Sequence, residues 1–135
     1  MAKTTKRSAM GTAKKLGFRS GLEVKVADQL KKSGVKFEYE TTKIKYVVPE
    51  SVHTYTPDFV FPNGLIVETK GYWEPSDRKK HLLIKKQHPN LDIRFVFTNS
   101  NNKIRKGSKT SYADFCNKHG FLYADKEIPE EWLRS

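Results

Sequence analysis

Two acids and an amine lie within a short stretch of this chain: Thr56-Pro57-Asp58-Phe59-Val60-Phe61-Pro62-Asn63-Gly64-Leu65-Ile66-Val67-Glu68-Thr69-Lys70. The runs 55–61 and 65–70 are rich in apolar residues, and the Pro62-Asn63-Gly64 turn signal between them predicts a β-hairpin. With Gly64 left-handed in a three-residue connector, position 58 faces position 68. Side chains alternate along a strand, so Phe59, Phe61, Leu65 and Val67 share one face, and Asp58, Val60, Ile66, Glu68 and Lys70 share the other. A two-residue turn would change the parity and separate the acids. Facing carboxylates, with Cβ atoms about 5 Å apart, repel each other. A divalent cation with hard oxygen ligands, Mg²⁺ first and Mn²⁺ as its substitute, offsets that repulsion. Such an ion lowers the pKa of a bound water and neutralises charge on a phosphodiester. Lys70 beside it could orient or deprotonate the attacking water, or stabilise a developing oxyanion. A plainer alternative is a Lys–Glu pair across a solvated face, with Asp58 an ordinary turn residue, and so short a motif does not by itself choose between them.

The elements that would position these groups follow from periodicity. Ser20-Gly21-Leu22-Glu23 has the spacing of a capping box, and Leu22, Val26, Ala27 and Leu30 then fall on one face, predicting a helix over 21–33. Glu23 is a further acid at that helix start; its residue type is explained by the cap and is equally compatible with reaching the metal. Val35, Phe37 and Tyr39, then Ile44, Tyr46 and Val48, alternate with polar residues and predict two strands before Pro49. Pro57 belongs near a strand's start or on an edge. A second helix is expected from Ser76-Asp77 to the stop at His88-Pro89, a strand over 91–97, and a polar loop over 98–109. A third helix over 111–119 ends at Gly120, and a short turn is expected around 129–133. Mixed helices and strands make the class α/β or α+β.

The chain has 135 residues, enough for one domain with a real core, and a net charge of +11 from 26 Lys plus Arg against 15 Asp plus Glu. The sequence pI near 9.7 favours nucleic acid or an acidic membrane surface as partner. Six of the cations (Lys3, Lys6, Arg7, Lys14, Lys15 and Arg19) and none of the acids fall in residues 1–20. Residues 1–18 are expected to form a flexible basic arm that holds a phosphate backbone, and 19–135 a single folded domain. Arg78 and Lys79 on the second helix, and Lys103, Arg105 and Lys106 in the following loop, are further candidates for phosphate contact. No base-reading helix is apparent, so selectivity would come from DNA shape.

Leu65-Ile66-Val67 reads as a buried strand that leads into Glu-x-Lys, and Gly71 follows at once. With a basic chain around it, this pattern describes the PD-(D/E)xK nuclease core. Several stretches also resemble the endonuclease I family of T-odd bacteriophages, resolvases of four-way DNA junctions: Gly17-Phe18-Arg19-Ser20-Gly21-Leu22-Glu23, Lys36-Phe37-Glu38-Tyr39-Glu40, His53-Thr54-Tyr55-Thr56-Pro57-Asp58-Phe59 and Glu68-Thr69-Lys70-Gly71. Asp77-Arg78-Lys79-Lys80-His81-Leu82-Leu83-Ile84 and Phe115-Cys116-Asn117-Lys118-His119-Gly120 extend the likeness over roughly residues 17–132. The resemblance implies a restriction-endonuclease-like mixed sheet flanked by helices, in an intertwined, segment-exchanged homodimer. It implies catalysis by Glu23, Asp58, Glu68 and Lys70, with metal ligation by Asp58, Glu68 and the Thr69 carbonyl, and Glu23 at a second metal position. Glu23 would come from one chain and the other three residues from its partner, with residues 45–50 as the bridge. The implied substrate is branched double-stranded DNA in the cytoplasm of a bacterial host, with no nucleotide cofactor and no membrane association. Two other classes are kept beside this: a restriction, repair or transposon-end nuclease of the same superfamily, and a non-catalytic basic DNA-architectural protein.

Cys116 is the only cysteine, which leaves no disulfide framework and no Cys-based zinc site. It is expected to pack in the core. His53, His81, His88 and His119 lack zinc spacing and are expected at the surface or behind the site, with His53 nearest to Asp58 in sequence. Tyr72 and Trp73 either pack beneath the site or stack on DNA, packing being favoured. No apolar run is long enough to span a membrane.

Overall fold

The computed structural model describes residues 20–48 and 51–134. The arm, its five cations and Arg19 lie outside the described residues, as do 49, 50 and 135. The chain folds in the order α1 (Gly21–Lys32), β1 (Glu38–Tyr39), β2 (Ile44–Val48), β3 (Ser51–Tyr55), β4 (Phe59–Val60), β5 (Ile66–Lys70), α2 (Pro75–Gln87), β6 (Ile93–Phe97), α3 (Tyr112–His119) and β7 (Tyr123–Asp125), closed by a 3₁₀ turn at Glu130–Leu133. Five strands form one mixed sheet in the order β1-β4-β5-β6-β7. The pairs β1–β4 and β4–β5 are antiparallel, and β5–β6 and β6–β7 are parallel. Each parallel pair is joined through a helix, because parallel strands need a crossover.

Strand alternation divides the core into two layers. Phe59, Phe61, Leu65, Val67 and Val96 pack against Val26, Ala27 and Leu30 of α1 and against Ile128 and Trp132. Ile66, Phe95 and Phe97 face the other way, onto Ile84 of α2, Phe115 and Cys116 of α3, and Trp73. The hairpin register is the expected one: Phe59 pairs with Val67 and Val60 with Ile66, around a turn in which Gly64 has φ 91°. A left-handed residue closes this turn at least strain when it lacks a Cβ.

Local signals set the helix ends. Ser20 Oγ accepts from the Glu23 N–H at 3.1 Å, and Ser111 and Asp114 form a complete capping box on α3. Gly120 ends α3 in the left-handed region at φ 77°.

Two expectations on strands are revised, and one strand is added. The run 55–61 is not one strand: Ser51–Tyr55 pairs with β2 in a separate two-stranded sheet, and only Phe59–Val60 enters the main sheet. Pro57 lies between them and has no N–H to give to a ladder, so the change of sheet falls where pairing is weakest. Of 35–39 only Glu38 and Tyr39 pair, while Val35 and Phe37 pack on the α1 layer. Strand β7 was not foreseen; three residues are too few to display a period.

The β2–β3 hairpin is fastened to α2. The Gln87 side chain accepts from Val47 N–H and donates to Val47 C=O, both at 2.6 Å, as a neighbouring strand would. His88 Nε2 lies 2.6 Å from the Lys45 carbonyl. Tyr46 and Tyr55 carry the hairpin into the core.

Trp73 is fully buried among Phe95, Phe97, Tyr112 and Phe115, with ring centroids 4.6–5.9 Å away. Trp73→Ala should lower the unfolding free energy by about 3–5 kcal/mol through lost burial and the cavity left behind. Urea denaturation of the two proteins checks this, with a loss under about 1 kcal/mol contradicting it.

Candidate active site

The register brings Asp58 and Glu68 together and ties each to the other's strand. Glu68 Oε2 accepts from the Asp58 N–H at 2.8 Å and from the Tyr55 hydroxyl at 2.9 Å. Asp58 Oδ2 accepts from the Thr69 N–H at 2.9 Å and from its hydroxyl at 3.0 Å. Both acids are buried, Asp58 7% and Glu68 3% exposed. Burial, and then the charge on Asp58, push the Glu68 carboxyl up to about 7, although Lys70, the Asp58 N–H and Tyr55 all favour its ionised form. Burial, followed by the same acids, holds the Tyr55 phenol well above its usual range, so it stays a donor.

Lys70 extends from the same strand face. Its Nζ is 3.4 Å from Glu68 Oε1 and 2.5 Å from Asp77 Oδ2 in the first turn of α2. Burial is the largest single influence and pulls its pKa down, but Glu68, Asp77 and Asp58 together outweigh it and raise it. Asp77 moves the opposite way: burial pushes it up, and Lys70 more than reverses this, leaving it below the usual carboxylate range. In this arrangement Lys70 is a fixed cation rather than a free base.

Glu23 reaches the same place from α1. Its Oε1 accepts from the Tyr39 hydroxyl at 3.0 Å. Among the described residues, Glu23, Glu40 and Asp58 each offer one oxygen within 4.8 Å of the others. Sequence reasoning assigned Glu40 no role. It takes a positive φ of 50°, and its N–H donates to the Asp58 carbonyl at 3.2 Å, which turns it into the site as β1 ends. Glu38-Tyr39-Glu40 gave no signal beyond strand alternation. The acids Asp58 and Glu68 are both oxygen donors and nearly buried, a donor set that suits a hard divalent cation.

The acids line a cavity of about 790 Å³. Tyr46, Val48 and His53 of the hairpin form part of its wall, and Ser76, Lys79, Lys80 and Leu83 of α2 another part. His53, the nearest histidine in sequence, is exposed and lies 2.9 Å from Ser51 Oγ. It is instead His81 that lies behind the acids. Its ring is fully buried, with Nε2 3.8 Å from Glu68 Oε1 and 3.7 Å from Asp77 Oδ1. Burial, then Lys70, pushes its pKa down to about 3, so the imidazole is neutral.

The candidate phosphate contacts divide. Lys79, Lys103, Arg105 and Lys106 are exposed. Arg78 is not: it is buried, its Nε donates to the Trp73 carbonyl at 3.3 Å and its Nη2 to the Ile104 carbonyl at 3.0 Å, with the guanidinium over the Phe115 ring. The buried guanidinium braces the loop that bears Lys103, Arg105 and Lys106. Tyr72 and Trp73 also divide, with Tyr72 70% exposed at the cavity rim and Trp73 in the core. Cys116 is buried, as expected.

A mixed sheet covered by helices, with Asp at the start of one strand, Glu-Thr-Lys on its antiparallel neighbour and a helix-borne Glu nearby, is the arrangement of a PD-(D/E)xK nuclease core. More narrowly, the chain belongs to the phage endonuclease I family, whose model matches residues 1–135. It is 62% identical over 126 residues to Endonuclease I of Escherichia phage T7, covering 93% of this chain and 85% of that protein. It is also 62% identical over 112 residues to Endodeoxyribonuclease 1 of Enterobacteria phage T3, covering 83% and 74%.

A cation that binds Glu68 must displace its proton below pH 7. Mg²⁺ affinity should therefore be nearly constant above about pH 7.5 and fall by roughly tenfold per pH unit below about pH 6.5. Calorimetric titration with Mg²⁺ checks this; Glu68→Gln should weaken binding and flatten the profile, and an unchanged profile would contradict the assignment.

Proposed function

We propose that this endodeoxyribonuclease resolves four-way and other branched DNA by metal-dependent hydrolysis of phosphodiester bonds. The carrying observation is the convergence of Asp58, Glu68 and Lys70 in one cavity. Asp58, Glu68 and the Thr69 carbonyl would hold Mg²⁺, or Mn²⁺ in its place, and Glu23 would serve a second position. The ion supplies Lewis acidity and a water of lowered pKa. The chain's own groups do the positioning. The Tyr55 hydroxyl and Asp58 N–H aim the Glu68 carboxylate, and the Thr69 N–H and hydroxyl aim that of Asp58. Lys70, kept cationic by Glu68 and Asp77, stabilises negative charge as it builds on the phosphate oxygens.

Lys79, Lys103, Arg105 and Lys106, with Lys3, Lys6, Arg7, Lys14 and Lys15 of the arm and Arg19 just after it, would hold DNA backbone and supply most of the affinity. Resolution by paired nicks needs two sites, which a homodimer provides. In the described chain, Glu23 precedes the β2–β3 hairpin and the Asp58–Glu68–Lys70 group follows it. Opening that hairpin along residues 45–50 would carry Glu23 to a partner chain and rebuild the same contacts between copies. Its DNA would be met in the host cytoplasm; among the described residues no helix is long and apolar enough to cross a membrane.

Lys70→Ala and Asp58→Asn should each lower Mg²⁺-dependent nicking of an immobile junction by about a hundredfold or more, with junction affinity kept. Undiminished nicking in both would reject the site, and equal cleavage of junction and linear duplex would reject junction selectivity. Binding that ignores Mg²⁺, with no nicking by wild type, would favour an architectural protein. Alanine at Lys103, Arg105 and Lys106 together should reduce the slope of log affinity against log salt by about 2–3, read by titrating junction at several salt concentrations.

A further inference from the structure

His81 is a neutral imidazole in an aromatic box. Its ring meets Tyr55 at 5.3 Å and Phe95 at 5.0 Å, both near-perpendicular at 86°, and Trp73 at 6.3 Å. Those contacts fix the ring plane. Among the described residues neither ring nitrogen has a hydrogen-bond partner, although the side chain is fully buried. An unsatisfied buried donor costs about 1–3 kcal/mol, and a leucine would fill such a box without that cost. Packing alone therefore does not account for the residue type.

The direction of Nε2 does account for it. That atom points between two carboxylates, 3.8 Å from Glu68 Oε1 and 3.7 Å from Asp77 Oδ1. Their needs differ. Asp77 already has Lys70 at 2.5 Å on one oxygen and Lys80 at 3.6 Å on the other. Among the described residues Glu68 has two donors on Oε2, the Tyr55 hydroxyl and the Asp58 N–H, but on Oε1 only Lys70, at 3.4 Å. Tyr55 thus touches both the ring of His81 and the carboxylate of Glu68, so one box frames both groups. A movement of about 1 Å brings Glu68 Oε1 within hydrogen-bonding range of Nε2.

We propose that His81 is a positioning residue whose Nε2–H donates to Glu68 Oε1 and fixes the rotation of that carboxylate when Glu68 engages its cation. Lys70 is then released from Glu68 and keeps Asp77 as its anchor, which leaves its ammonium facing the cavity. Ligating groups commonly rely on such outer hydrogen bonds, whose loss costs about 10–100-fold in metal affinity or activity.

The inference rests on the reading of Glu68 as a metal ligand, and the first test is independent of activity. Long-range ¹H–¹⁵N NMR of the full wild-type chain, without metal or DNA, should show His81 with its proton on Nε2, and Mg²⁺ alone should then shift that nitrogen. A proton on Nδ1, or an Nε2 resonance indifferent to saturating Mg²⁺ that calorimetry shows to be bound, would overturn the proposal. The second test compares His81→Leu with His81→Gln, whose amide N–H can stand where Nε2–H stood. Leu should slow single-turnover junction cleavage by about tenfold or more at unchanged junction affinity, and Gln should recover most of the loss. Wild-type cleavage by the Leu variant, or a Gln variant no faster than Leu, would overturn it. Failure of the site itself is read separately, from Lys70→Ala and Asp58→Asn.

Discussion

Two carboxylates are held side by side, nearly buried on the wall of one cavity, and most of the structure around them serves that constraint. Asp58 and Glu68 face each other because a three-residue turn sets the register of β4 and β5. Left alone, the pair would repel and resist burial. Main-chain and side-chain donors oppose that tendency: Asp58 N–H and Tyr55 on one acid, Thr69 N–H and hydroxyl on the other. They do not cancel it, since the Glu68 pKa is still raised to about 7. Glu68, Asp77 and Asp58 together keep the proton on Lys70 despite its burial.

The second layer follows from the same need. Helix α2 begins at Pro75, just past the end of β5, and its first turn delivers Asp77 to Lys70 while the next delivers His81 to the back of Glu68. The i, i+4 spacing puts both on one face of the helix. Its last turn acts elsewhere, where Gln87 and His88 hold the β2 edge and so fix the hairpin wall of the cavity. One helix thereby sets the Lys70 anchor, the orientation behind Glu68 and the position of the hairpin between Glu23 and Asp58.

The cations serve different ends according to burial. An exposed lysine contributes field and contact to a phosphate backbone, whereas a guanidinium out of water must be fully hydrogen-bonded. Arg78 is of the second kind, fastened to the Trp73 and Ile104 carbonyls beneath the loop of Lys103, Arg105 and Lys106. Lys79, next to it in sequence, is exposed on the cavity wall. Neighbours in a cationic run thus face opposite environments because a helix turns each residue by about 100°.

The chain alone determined the hairpin, its register and the shared face of Asp58, Glu68 and Lys70, since these depend on a turn type and a period of two. Helix boundaries at Ser20, Ser111 and Gly120 were equally legible, because capping is local chemistry. The tertiary structure decided what lies far apart in sequence. Glu40 enters the site through one residue of positive φ, Arg78 is bonded to a loop 26 residues on, and the run from Tyr55 is broken by its choice of sheet. His81, 13 residues beyond Glu68, reaches it only because α2 folds back across the sheet. Periodicity states which way a side chain faces within its own element. What it then meets depends on how crossovers bring elements together, and that is set by packing of the whole core.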